Sequence, residues 1–171
     1  MFDKFGEFDS AEELNRAAAA QLAEGDTEAV LAIAEENGIS KFDAQDYIDG
    51  VVPELATPRM AAIGKLELEH KEYEIAGILV DWETEIKKLC ILEDEMSIAV
   101  RRKGKSLRDC MAAMIAFAFE NKVQVSDKIV KATKVKHNGK LEPLRAPLYL
   151  GVPTRKEAEQ IIREYYMGKQ V

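Results

Sequence analysis

The amino-acid sequence predicts a mainly α fold: a compact multi-helix domain that begins with a short acidic three-helix unit. Three observations support this prediction. Helix-capping residues and glycine stops alternate along most of the chain, and the apolar residues between them recur at helical spacing. The composition, 47% apolar and 32% charged over 171 residues, is typical of a globular chain that buries a continuous core.

Residues 1–55 are predicted to hold three short helices. Ser10 and Glu13 have the spacing of a capping box, and Gly25 stands where a helix over 11–24 needs a left-handed stop. Two further sets of caps and stops mark the second and third helices: Asp26 or Thr27 with Asn37-Gly38, and Ser40 with Gly50. The apolar contacts of the third helix are expected from Phe42, Tyr47 and Ile48.

Residues 56–171 are predicted to form a helical core domain. Thr57-Pro58 opens a fourth helix, and an apolar stripe over 75–89 predicts a core helix after it. The helix over 107–120 is expected to be central, because it is apolar on nearly every side. One shared core is expected to contain a set of large side chains: Ile75, Ile78, Leu79, Trp82, Met111, Met114, Ile115, Ile161 and Tyr165.

The stretch near 134–150 loses the helical period and predicts a small β-hairpin. Asn138-Gly139 at its centre is the favoured pair for a type I′ turn, in which both residues take positive φ. After it, Thr154 and Glu157 form a second capping-box pattern, which predicts a final helix.

The chain has a net charge of −7, but its charges are strongly separated along the sequence. Residues 1–60 contain 14 acidic and 4 basic residues, whereas residues 101–171 contain 7 acidic and 16 basic residues. Such polarity concerns partners more than fold, because the field of many like charges extends beyond the surface. The acidic N-terminal part is not expected to contact DNA, since phosphate binding requires cations.

Residues that usually carry catalysis or metal binding are scarce. His70 and His137 are the only histidines, and neither has a second ligand at the spacing of a zinc or iron site. Cys90 and Cys110 are expected to be packed, reduced thiols, and burial raises the pKa of such a thiol rather than activating it. These features predict no enzyme, no bound metal and no cofactor.

No membrane-spanning or secretory segment is expected. The longest apolar run, residues 110–119, is about half of the roughly 20 residues that a transmembrane helix needs. The first residues lack the basic and apolar regions of a secretory signal. We therefore expect a cytoplasmic protein with no membrane partner.

Two charged groups of residues are the candidate partner-binding sites. The first is a basic patch of five cations: Arg101, Arg102, Lys103, Lys105 and Arg108. The second is an acidic face on the third predicted helix: Asp43, Asp46 and Asp49. The basic patch suits phosphates or an acidic protein face. The alternative is that it neutralises a helix C-terminus and pairs with Glu93, Asp94 or the acidic N-terminal unit.

The second half of the chain carries a set of short motifs. Gly104-Lys105-Ser106-Leu107-Arg108-Asp109-Cys110 is followed by an apolar helix, then by Gly151-Val152-Pro153, and then by a terminal helix with Tyr165-Tyr166. Over about residues 100–168 this pattern resembles the PcfK-like family of conjugative mobile elements in Gram-positive bacteria. The matching positions are mostly cap and core residues here, so the resemblance implies no catalytic residue.

The resemblance implies a function through binding. The PcfK-like family includes anti-CRISPR proteins that inhibit the type II CRISPR effector nuclease, an RNA-guided DNA endonuclease. By this resemblance the chain is expected to bind such a nuclease, alone or with its guide RNA, and to block DNA binding or cleavage. Two alternatives stay open: a nucleic-acid-binding accessory protein of a conjugative element, which uses the basic residues over 101–140, and a scaffold protein.

Overall fold

The computed structural model describes residues 4–168, and this part of the chain is mainly helical, as predicted. Its helices are α1 (Ala11–Ala23), α2 (Thr27–Glu36), α3 (Lys41–Ile48), α4 (Pro58–Glu72), α5 (Ile78–Leu92), α6 (Asp94–Arg101), α7 (Leu107–Glu120), α8 (Asp127–Ala132) and α9 (Arg155–Met167). Its strands are β1 (Val123–Gln124), β2 (Lys134–His137), β3 (Lys140–Pro143) and β4 (Tyr149–Leu150). None of these helices is long and apolar enough to cross a membrane.

Side-chain caps determine where most of the helices begin. The Ser10 hydroxyl accepts a hydrogen bond from the Glu13 amide at the start of α1. Four more helices have the same kind of cap, from Asp26 (α2), Ser40 (α3), Thr57 (α4) and Ser106 (α7). The capping box predicted at Thr154 and Glu157 is present. The one predicted at Ser10 is incomplete, because the Glu13 carboxylate accepts from the backbone amide of Asp9 instead.

Two buried apolar clusters form the core, and α4 contributes to both. The first lies among α1, α2 and α3 and includes Ala61 of α4. The second lies among α4, α5, α6, α7 and α9 and includes Leu66 of α4. The backbones at Gly38 and Gly64 touch, so that a Cβ on either glycine would overlap the backbone of the other. The acidic N-terminal unit therefore packs directly against the core domain through α4.

The second cluster contains most of the residues predicted to share one core. Four of the predicted residues are buried and three pack at the edge: Ile75, Trp82, Met111 and Met114, then Leu79, Ile161 and Tyr165. The prediction is wrong for Ile78 and Ile115, which are 46% and 42% exposed. Gly77 turns the chain with a φ of +60° just before α5, so Ile78 lies at the helix start. Tyr166 occupies the inner position of α9.

Two further expectations about exposure are also wrong. The first is that α7 is central: it packs against α4, α5 and α9 through one side, and Ala118 near its end also lies against Gly151. Its buried residues are Leu107, Cys110, Met111 and Met114, and its opposite side is exposed at Ala112, Ile115, Ala116 and Phe119. The second is that Phe42 packs in α3, since this side chain is 86% exposed. The apolar content of α3 and α7 therefore predicts more burial by neighbouring elements than these helices have.

The predicted hairpin is present as the antiparallel pair β2–β3. Its turn contains Asn138 and Gly139, with φ values of +49° and +80°, as a type I′ turn requires. His137 pairs with Lys140 next to the turn. A second antiparallel pair joins β1 to β4 and lies beside the C-terminal end of α7.

Candidate functional site

The predicted basic patch divides into a buried and an exposed part. Arg101, the last residue of α6, is only 1% exposed. Its Nη2 donates a hydrogen bond to Oδ1 of the buried Asn37 at 2.5 Å. Burial lowers the pKa of this guanidinium, and three carboxylates oppose the shift: Glu7, Glu69 and Asp9. Arg101 therefore joins α6 to the end of α2 inside the protein and does not reach a partner's surface.

The acidic segment before α1 lies over the same end of α6. The Glu7 carboxylate is 2.6 Å from Nζ of Lys65, which is 1% exposed. This ammonium also donates to the backbone oxygen of Arg102 at 3.1 Å. The Asp9 carboxylate accepts a hydrogen bond from the backbone amide of Lys103 at 2.7 Å. The N-terminal unit thus pairs with this end of α6, which is one of the two interpretations that the sequence left open.

Glu93 and Asp94, the other expected partners of the basic patch, bind different arginines. The two oxygens of Glu93 accept from Nη1 and Nη2 of Arg163 at 2.7 and 2.6 Å. This bidentate pair lowers the pKa of Glu93 and raises that of Arg163. Asp94 is 4.0 Å from Nη2 of Arg59. These carboxylates therefore join α9 and α4 to the start of α6.

Three cations of the patch are exposed, and we call them the exposed basic set: Arg102, Lys103 and Arg108. Arg108 is partly neutralised by Asp109, whose Oδ1 is 2.8 Å from its Nε. Lys105 is half-buried against α9. Its Nζ donates to the backbone oxygen of Tyr165 at 2.5 Å and lies 4.7 Å from the centre of that ring. A partner can therefore reach the exposed basic set more readily than Lys105.

A second positive surface lies on the β2–β3 hairpin. Every residue of its two strands is exposed. We call its three lysines the lysine ribbon: Lys134, Lys136 and Lys140. Lys134 and Lys136 share one face of the ribbon, because side chains alternate along a strand. The sequence shows the excess of lysines in this region, but only the strand register shows how they are arranged.

Only part of the predicted acidic face is available on α3. Asp46 and Asp49 are exposed, whereas Asp43 is half-buried. The Asp43 carboxylate accepts a hydrogen bond from the Ser40 hydroxyl at 2.7 Å, at the cap of the helix. Oδ1 of Asp49 accepts from Nε2 of Gln45 at 2.9 Å along the same helix. Asp46 and Asp49 are therefore the members of this face that a partner can contact.

Two buried carboxylates have structural partners. Glu69 is 2% exposed and accepts a hydrogen bond at 2.8 Å from the Leu107 amide, at the start of α7. Its burial raises its pKa to about 7. Glu83 of α5 is also 2% exposed. Its oxygens lie 2.5 Å from Nδ1 of His70 and 2.9 Å from Nζ of Lys87, so α4 covers this carboxylate.

The two thiols are buried and unpaired with each other, as predicted. Burial raises the pKa of Cys90 to about 11 and that of Cys110 to about 12. Neither is an effective nucleophile at neutral pH, because the thiolate is the reactive form. Within residues 4–168, no group of three histidine, cysteine or acidic side chains is placed to hold a metal ion. The strongest candidates for function are therefore the charged surfaces.

The chain matches no protein-family model, and comparisons with curated proteins and with solved structures give no significant match. The resemblance over about residues 100–168 therefore stays a prediction. In the structure, the motifs of that resemblance join α7 to α9. The Ser106 hydroxyl caps α7, and the Ser106 amide donates to the Tyr165 hydroxyl at 2.8 Å.

Proposed function

We propose that this chain is a non-catalytic binding protein that inhibits an RNA-guided type II CRISPR effector nuclease by direct contact. The observation that carries the proposal is the separation of exposed charge. Asp46 and Asp49 lie on the acidic unit, and the exposed basic set lies on the core domain. The resemblance to the PcfK-like family indicates the class of partner.

The acidic unit suits a partner with a basic channel. A type II nuclease holds its RNA–DNA heteroduplex in a positively charged channel and recognises the backbone of that duplex. Carboxylates on a compact surface compete for the same cations, because they present negative oxygens as phosphates do. The exposed basic set in turn suits the guide RNA or an acidic lobe of the nuclease. Salt is expected to weaken a contact of this kind.

The test is protection of a target plasmid from a panel of type II nucleases, with and without the protein. The wild-type chain is expected to prevent cleavage by at least one member of the panel. Reversing Arg102, Lys103 and Arg108 to Glu is expected to weaken inhibition about 3- to 150-fold, from about 0.2–1 kcal/mol for each exposed pair. Changing Asp46 and Asp49 to Asn is expected to act in the same direction.

A matched control reverses three exposed cations elsewhere: Lys71, Arg145 and Lys156. This control changes the net charge by the same amount as the test variant. Comparing the two therefore distinguishes an effect of where the charges lie from an effect of net charge. Circular dichroism checks that all variants keep their helical content. Cleavage by every nuclease of the panel in the presence of the wild-type chain would contradict the proposal. Equal losses in the test and control variants would show that the exposed basic set makes no specific contact.

A second candidate function, a nucleic-acid-binding accessory protein, is favoured by the lysine ribbon. A two-stranded ribbon of exposed residues fits the major groove of DNA, and its lysines suit the phosphates. If this function holds, the chain should shift naked duplex DNA in a strongly salt-dependent way. Lys140 pairs with His137 and therefore lies on the opposite face from Lys134 and Lys136. Changing Lys134 and Lys136 to Gln should then reduce the salt slope by about 1.8, at about 0.9 for each phosphate contact. Tight, salt-sensitive binding to DNA together with full plasmid cleavage would favour this candidate over the inhibitor.

A further inference from the structure

The outward side of α7 is an exposed apolar stripe. Ala112, Ile115, Ala116 and Phe119 follow the i, i+3, i+4, i+7 spacing of one helix face, and all four are exposed. Ile115 is 42% exposed and Phe119 is 68% exposed. The opposite side of α7 packs on the core against α4, α5 and α9, and Ala118 lies against Gly151, but the four residues of the stripe remain exposed.

The apolar surface continues from α7 onto β4. Tyr149, Leu150 and Val152 are at least half exposed, and with Phe119 and Lys122 they line an open cavity of about 500 Å³. Among residues 4–168, nine of the seventeen exposed large apolar side chains lie within 115–152. An exposed apolar surface that continues from one element onto the next is typical of an interaction site.

We infer that a second copy of this chain covers the surface, with the two α7 helices side by side and parallel about a two-fold axis. Ala112 and Ala116 let the two helices approach closely, and Ile115 and Phe119 supply the apolar area. In this arrangement Phe119 of each copy lies at the height of the other copy's cavity beside β4. The inference does not depend on the nuclease proposal.

The charges beside the stripe determine the orientation of the pair. At 100° per residue, Asp109 and Glu120 lie on one flank, and Arg108 lies towards the other flank. Arg108 already pairs with Asp109 of its own chain, so Glu120 is the acid that decides the contact. Lys122 also lies on that other flank, because its Nζ is 4.6 Å from the centre of the Phe119 ring on the cavity side. Opposite flanks meet in a parallel pair, so acids face bases. In an antiparallel pair the same flank of each copy meets, so acids face acids and bases face bases.

The first test is the mass of the protein in solution by sedimentation equilibrium. The wild-type chain is expected to sediment as a dimer of about 38 kDa, twice its 19.1 kDa, at a concentration of about 100 µM. Phe119→Asp is expected to weaken association at least tenfold. The variant should keep its fold, which circular dichroism checks, because Phe119 is exposed. Phe42→Asp is the matched control, since Phe42 is 86% exposed on α3, and it should leave the dimer intact.

The second test distinguishes a parallel from an antiparallel arrangement of the two α7 helices. Glu120→Lys places a cation against Lys122 in a parallel pair and should weaken the dimer about 2- to 5-fold, and adding Lys122→Glu should restore it. In an antiparallel pair Glu120→Lys instead faces Asp109 and strengthens the dimer, which would overturn the parallel arrangement. A monomeric wild-type chain, or an unchanged dimer with Phe119→Asp, would overturn the whole inference.

Discussion

The change Glu69→Gln is expected to remove a pH-dependent loss of stability that the wild-type chain shows between about pH 4.5 and 7. Glu69 lies inside the protein, and burial raises its pKa from 4.5 to about 7. The Leu107 amide and the Lys65 ammonium favour the ionised form, while Glu7 and Glu72 disfavour it. Burial is the largest of these effects, so the protonated carboxyl is the more stable form at mildly acidic pH.

The sign and size of the effect follow from the two pKa values. Between about pH 4.5 and 7, the folded state keeps a proton on Glu69 that the unfolded chain has released. The free energy of unfolding therefore falls as the pH rises through this range, by about 3 kcal/mol in total, and the loss is complete above about pH 7. Glu85 and Glu93 have lowered pKa values, so their contributions change only at more acidic pH.

Urea denaturation at several pH values from 5 to 8 measures this effect. Gln at position 69 is neutral and keeps an oxygen for the Leu107 amide, so the variant should match the wild type near pH 5 and exceed it by up to about 3 kcal/mol near pH 8. Glu67→Gln is the matched control, because it removes an exposed carboxylate from the same helix. Parallel curves for the wild type and Glu69→Gln from pH 5 to 8 would show that Glu69 does not keep a proton in the folded state.

Two further predictions concern packing, and both are measured as free energies of unfolding in denaturant. Trp82→Ala should cost about 3–5 kcal/mol, because Trp82 is buried in the second cluster and the change leaves a cavity; a cost below about 1 kcal/mol would contradict that placement. Gly64→Ala should destabilise by about 1–3 kcal/mol, because the new Cβ would overlap the backbone at Asn37 and Gly38. A gain in stability, which helix propensity alone predicts for this change, would show that the two backbones do not touch.

The helices could be predicted because their signals are local. A cap such as Ser106 acts on an amide three residues away, and the turn at Asn138-Gly139 needs only its own two residues to adopt positive φ. Both interactions involve residues within three positions of each other in the sequence. The sequence therefore predicts the mainly α fold, the hairpin and most helix ends.

The candidate sites were less predictable, because they depend on residues far apart in sequence. Arg101 belongs to a run of cations in the sequence. In the fold it is buried and donates a hydrogen bond to Asn37, 64 positions earlier. Glu83 resembles a solvated carboxylate until His70 of the neighbouring helix is placed against it. No local pattern distinguishes these residues from Arg102 or from an exposed glutamate.

The helical fold, the hairpin, the buried thiols and the separation of charge follow from neighbouring residues or from composition, so they could be predicted from the sequence alone. Which helix faces are covered by other elements is seen only in the three-dimensional structure. The residue pattern of α7 indicates apolar sides, but it does not say that α4, α5 and α9 cover one of them and leave Phe119 exposed. Burial depends on what packs against a side chain, and in this fold those neighbours come from distant parts of the chain.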